Sequence, residues 1–260
     1  MRSVLRAVGA LAVLIVGALA LLRWATPPLE LRQSFAGNGC CIDITHAGGL
    51  LDGVAYTNSL EALNQNYQSG RRIFEIDLAL TADDHIVLAH DWDAYGGKAS
   101  DRATFLTDGT LTRLAFGQFI DWVRQTCLDC RIVTDTKFEF EQFWKTYSAT
   151  VPPKMQRDQF VLQTYDFAMA QSPAGRTPTQ PQILTLYLLE SVAEADLAAL
   201  ANMTSLVAVT MPLDRVPFQS AQVQAATGKP VFSHGYPWMM RSQLLLRLAR
   251  AFGVTGFYKD

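Results

Sequence analysis

Eight short apolar segments alternate with amphipathic ones from residue 41 to the end of the chain, and this alternation narrows the fold more than any other feature. The strand-like segments are 41–46, 73–81 with its hairpin partner 85–91, 131–137, 159–166, 182–188, 205–212, 229–236 and 255–260. Between them lie helix-like runs at 59–69, 111–127, 138–149, 192–203, 217–227 and 238–252. In the second run Leu111, Leu114, Ala115, Phe119 and Val123 recur near helical spacing. Segment 167–177 is only weakly helical, limited by Pro173 and Gly175. Short apolar strands separated by helices predict an α/β fold with a parallel sheet covered on both faces. Eight of them predict a (β/α)8 TIM barrel, which takes about 200–250 residues. A doubly wound open sheet is the competing topology, and no Gly-rich phosphate loop follows the first strand to support it.

The first 24 residues stand apart. Arg2 and Arg6 precede an uncharged apolar run from Ala7 to Leu22, closed by Arg23 and Trp24. With Val4 and Leu5 the run approaches the ~17–25 residues that span a bilayer. A signal anchor is expected over residues 1–24, with a cleaved signal peptide as the alternative and a buried soluble helix a distant third. No small-x-small cleavage pattern follows, which favours the anchor. Either leading reading keeps the basic N-terminus cytoplasmic and carries the rest across the membrane. The expected location is therefore membrane-anchored with the barrel periplasmic or at the cell surface, or secreted if the N-terminus is cleaved. Residues 25–39 read as a linker with two prolines, and 40–260 as the folded domain.

The four cysteines, Cys40, Cys41, Cys127 and Cys130, agree with export. Adjacent cysteines rarely supply two ligands of a tetrahedral zinc site, so structural disulfides are expected, with the pairing open among three possibilities. A net charge of −2 leaves no electrostatic footprint for nucleic acid, and no nucleic-acid partner is expected.

The polar residues concentrate near the C-terminal ends of the expected strands. His46 ends the first. Glu75 and Asp77, two apart in "FEIDLALTADDHIVLAHD", share one face of the second, and His90 ends its hairpin partner. Asp135 and Lys137 repeat that spacing on the third strand and Gln163 and Tyr165 on the fourth, while His234 and Lys259 close the last two. Two bare carboxylates on a buried strand face repel each other and lose hydration. A hard cation answers the problem: Glu75, Asp77 and Asp135 form an oxygen-rich cage suited to Ca²⁺ or Mg²⁺, with zinc ranking lower. The bland alternative is a polar barrel layer in which Lys137 neutralises the acids. His46 and His90 flank the carboxylates and titrate near neutrality, which suits acid and base work. His85 lies in a turn and is expected to be inert. His234 is expected to contact substrate.

With "HAGG" (46–49), "YTNSLEAL" (56–63), "TDTK" (134–137) and "LQTYD" (162–166) added, residues 42–166 resemble the glycerophosphodiester phosphodiesterases and related barrel phospholipases. The 74–91 block is the closest match. Ala47 stands where most of that family carries an arginine that contacts phosphate, and Thr57 replaces a glutamate. Asp135-x-Lys137 is similar to the sphingomyelinase D branch. The resemblance implies that 40–260 is a phosphodiesterase barrel, a phosphoric diester hydrolase using one divalent cation. It further implies that Asn58 is an additional metal ligand and that Lys137 and Gln163 contact a small-molecule or lipid phosphodiester. From their strand-end positions His234 and Lys259 are expected to contact the same substrate, and the N-terminal helix is expected to hold the barrel at the membrane. Two other readings compete. One is a lapsed barrel that binds a phospho-ligand or partner protein, motivated by Ala47 and Thr57. The other is a glycosidase, which two carboxylates on one strand face are too local to serve.

Overall fold

Side-chain parity along the strands builds this molecule from two kinds of core. The computed structural model describes residues 43–172, 180–189 and 191–260. The strands are β1 (Ile44–Thr45), β2 (Ile73–Leu80), β3 (Ile86–Leu88), β4 (Arg131–Thr136), β5 (Phe160–Thr164), β6 (Gln182–Thr185), β7 (Leu206–Pro212), β8 (Val231–His234) and β9 (Val254–Lys259). All except β3 run parallel, in ring order β1-β2-β4-β5-β6-β7-β8-β9, and β1 pairs with both β2 and β9 to close the barrel. β3 is the antiparallel return of a hairpin on β2. The expected eight-stranded barrel is therefore what the chain forms.

One residue from each barrel strand plugs the lumen: Ile44, Ile73, Val133, Val161, Ile183, Ala208, Phe232 and Tyr258. Because side chains alternate, the next lumen positions toward the C-terminal ends are Glu75 and Asp77 on β2, Asp135 on β4 and Gln163 on β5. The opposite parity faces the helices. Phe74, Ile76 and Leu78 of β2 are fully buried there, each contributing roughly 1.5–3 kcal/mol.

The helices are α1 (Leu60–Gln68), α2 (Arg102–Thr107), α3 (Phe116–Gln125), α4 (Phe140–Thr150), α5 (Pro153–Asp158), α6 (Phe167–Ala170), α7 (Glu194–Ala201), α8 (Val216–Thr227), α9 (Pro237–Arg241) and α10 (Gln243–Ala251). Each long amphipathic run becomes a helix. The exception is 238–252, which breaks at Ser242, whose side chain caps α10 through the Leu245 N–H. α1 starts where the Ser59 hydroxyl accepts from the Ala62 N–H, which fixes the loop from β1 over the barrel mouth.

Cys127 and Cys130, both fully buried, form a disulfide between α3 and β4 with a Cα–Cα separation of 5.2 Å. Cys40, Cys41, the linker and the N-terminal apolar run lie outside the described residues. Among the described residues no helix is long and apolar enough to cross a membrane.

Candidate active site

Three carboxylates meet where parity puts them. Oxygen atoms of Glu75, Asp77 and Asp135 lie within 4.8 Å of one another, and all three residues are buried. The register brings this about, since Asp77 pairs directly with Asp135 across β2 and β4. Lys137 leans over the cluster, its Nζ 2.6 Å from Asp135 Oδ2 and 3.1 Å from Asp77 Oδ1. The Asp77 contact is close enough for ion pairing but off the line of a hydrogen bond. Burial opposes charge on Lys137, yet Asp135 and Asp77 hold its ammonium well above the ordinary lysine range.

Glu75 accepts the Ala47 N–H at Oε2, 2.7 Å away, while its Oε1 is buried with no hydrogen-bond partner among the described residues. Burial and the neighbouring charge of Asp77 push the Glu75 carboxyl well above the usual carboxylate range. One ammonium among three buried acids with an orphaned oxygen is a donor set that suits a hard cation. The residues present fit such an ion.

Asn58 donates from Nδ2 to Asp77 Oδ2 at 3.0 Å, and its Oδ1 accepts the Asp77 backbone N–H at 3.2 Å. It thereby orients Asp77. Tyr165 donates to Asp135 Oδ1 at 2.6 Å. Gln163, expected as a substrate contact, has both ends engaged, with Nε2 on the Tyr165 hydroxyl and Oε1 accepting from Tyr258. It braces the phenol that holds Asp135.

His46 sits at the rim of this cluster. Its Nε2 is 3.9 Å from Glu75 Oε2, and its Nδ1 is 2.9 Å from Asp260 Oδ1. Burial would pull His46 down, but the Glu75 charge and the Asp260 hydrogen bond outweigh it and raise the imidazole to about 9. His90 stands across the mouth with Nδ1 2.6 Å from Asp91 Oδ2. Both histidines thus have Nδ1 held by a carboxylate, which leaves Nε2 as the free nitrogen of each.

Between them lies the Tyr56 ring, edge-on to His46 at 4.9 Å and to His90 at 4.7 Å between centroids. The loop that carries it is strained: Ala47 (φ 49°), Tyr56 (φ 61°) and Asn58 (φ 46°) all occupy the left-handed region. Arg113 donates to Thr57 O at 3.2 Å, and the Asn58 N–H donates to Ala47 O at 3.3 Å, which pins the strain in place. Gly49 (φ 94°) is required, because a Cβ there would collide with Asn66.

His234 lines the opposite wall, its Nδ1 3.1 Å from Thr210 Oγ1 and its ring 6.1 Å from Tyr258. Burial and the nearby His46 depress it to about 4. Lys259 is a correction. Tyr258 takes the lumen position, so Lys259 points outward and pairs with Asp43 Oδ2 at 2.7 Å, away from the carboxylates. Tyr56 and Asp260 were not anticipated. Asp260 was readable, being two residues beyond lumen-facing Tyr258, whereas Tyr56 sits in a loop with no period to follow.

No family model and no curated protein matches this chain. Solved structures do. A protein of Galdieria sulphuraria assigned to the glycerophosphodiester phosphodiesterases aligns at a TM-score of 0.68 and 12% identity, over 86% of this chain and 95% of its own. The glycerophosphodiester phosphodiesterase of Thermotoga maritima aligns at 0.63 and 16%, over 86% and 96%. An Oleispira antarctica phosphodiesterase, solved with the product sn-glycerol-3-phosphate, aligns at 0.62 and 15%, over 84% and 92%. At these identities the shared property is the fold, an eight-stranded α/β barrel aligned over 84–86% of this chain.

Proposed function

We propose that the chain is a metal-dependent phosphoric diester hydrolase that cleaves a glycerophosphodiester or a phospholipid headgroup. The observation that carries this reading is the buried Glu75–Asp77–Asp135 cluster, with its unpartnered Glu75 oxygen, beside two carboxylate-held histidines at one barrel mouth. The fold shared with glycerophosphodiester phosphodiesterases supports it. Glu75, Asp77 and Asp135 would hold one Ca²⁺ or Mg²⁺, whose charge would offset that of a bound phosphodiester.

The protein's own groups do the rest. Asn58 and Tyr165 fix the Asp77 and Asp135 carboxylates by the hydrogen bonds described. Lys137 adds a second positive charge on the same side. One of His46 and His90 takes the proton of the attacking water or substrate hydroxyl at its free Nε2, and the other gives a proton to the leaving oxygen. Asp260 and Asp91 hold the two rings in the required orientation. His234, neutral near pH 7, offers the substrate a hydrogen bond without adding charge.

The test is a phosphodiester panel read by phosphorus NMR, with purified protein stripped by chelator and then given Ca²⁺ or Mg²⁺. Turnover should appear only with the ion, and His90→Ala should lose at least about 100-fold, the usual scale of acid–base catalysis. Turnover indifferent to chelator, or retained in His90→Ala, sinks the mechanism.

A further inference from the structure

Exposed apolar side chains are unevenly placed on this barrel. Nine large ones stand out among the described residues, and only Leu128 lies at the N-terminal ends of the strands. Val54 and Tyr56 follow β1, Tyr187 and Leu188 follow β6, and Tyr236 and Trp238 follow β8, all between 41% and 71% exposed. The remaining two stand in the first turns of α8 and α10, which begin at that same end. Two of these side chains adjoin the candidate active site. The Tyr187 ring lies 5.9 Å from His234, and Arg215 holds that loop by donating to Leu186 O at 2.9 Å. Tyr56 packs edge-on against His46 and His90.

We propose that this face docks the barrel mouth onto a phospholipid bilayer, so that a lipid headgroup enters the site without leaving the interface. The last clause rests on the phosphodiesterase reading; the docking does not. Three observations favour a bilayer over a protein partner. Tyrosine and tryptophan rings, with an apolar body and a polar tip, settle at headgroup depth, and they supply four of the eight side chains on this face. Soluble monomers rarely leave so concentrated an apolar surface in water. The chain also carries the uncharged run Ala7–Leu22, separated from the barrel by residues 23–42. Extended, those 20 residues would reach roughly 65 Å, beyond the ~26 Å of the longest strand, so the mouth end can face the same membrane. With a net charge of −2 the attraction is apolar rather than electrostatic, and it persists in high salt.

The experiment uses the full chain in phosphatidylcholine vesicles, with or without bromine on the acyl chains as a fluorescence quencher. Trp24, beside the apolar run, contributes equally to the native protein and to Trp238→Phe, so the difference between them reports Trp238 alone. Brominated lipid should quench the native protein more than Trp238→Phe, and the difference should survive ~0.5 M salt. Equal quenching overturns the docking, as does lipid-free self-association that shields Trp238 from acrylamide, which assigns the face to a second copy. In a second arm, Tyr236→Ser with Trp238→Ser should slow turnover of vesicle phospholipid at least fivefold while leaving a soluble glycerophosphodiester unaffected. Equal effects on both substrates overturn interfacial entry. If the native protein cleaves neither substrate, the phosphodiesterase reading falls, and the quenching arm still decides the docking.

Discussion

Lys137→Met is the substitution that best separates a metal site from a merely polar barrel layer. It keeps most of the aliphatic stem and removes the one ammonium that touches both Asp77 and Asp135. Removing one partner of a fully buried ion pair costs about 3–5 kcal/mol. The Lys137 side chain is 28% exposed, against 0% for Asp77 and 8% for Asp135, so solvent screening reduces the expectation to about 2–3 kcal/mol. For a chain of this length that lowers Tm by roughly 5–10 °C in chelator. Saturating Ca²⁺ or Mg²⁺ supplies the missing charge to the same carboxylates, and the loss should shrink to less than half. The assay is thermal unfolding of native and variant protein in mild detergent, each with chelator and with the ion. An equal loss in both conditions would refute the reasoning, because the carboxylates would then depend on Lys137 alone.

Two further outcomes follow from the histidines. Asp260→Asn keeps a hydrogen-bonding group on His46 Nδ1 but removes its charge, so kcat should fall about 10-fold or more with KM little changed; unchanged kcat would remove Asp260 from the site. His234 is held neutral in the fold, with its pKa depressed from 6.5 to about 4. The folded state therefore binds fewer protons than the unfolded one in that window. The corresponding stability is fully present above pH 6.5, is lost as pH falls toward about 4, and amounts to roughly 3 kcal/mol. His46 has the opposite sign: in metal-free protein its contribution is present below pH 6.5 and lost as pH rises through about 9. Denaturant unfolding from pH 4 to 7 checks the first, with His234→Gln expected to flatten the acid limb; an unchanged limb would contradict it.

The fold was legible because barrel strands are short, apolar and evenly spaced, and because i, i+2 polar pairs mark lumen parity. That parity brought Glu75, Asp77 and Asp135 together as expected. The same rule, applied to "FYKD", separates Lys259 from Tyr258 and Asp260, and strand position without parity put Lys259 on the wrong face. The His46–Asp260 contact spans 214 residues and exists only because β1 and β9 are neighbours in a closed ring. Tyr56 depends on left-handed backbone at a non-glycine residue, which local propensity disfavours and tertiary contacts must impose. α2 and α5 escaped notice because six-residue helices carry too few turns to show a period.

The central claim is that the three buried acids hold a cation. Calorimetric titration of the chelator-stripped protein with Ca²⁺ or Mg²⁺ tests it most directly, with Glu75→Gln and Asp77→Asn combined as the control. The account predicts saturable binding of one ion per chain that disappears in the control. Absence of saturable binding, or binding undiminished in the control, would contradict it.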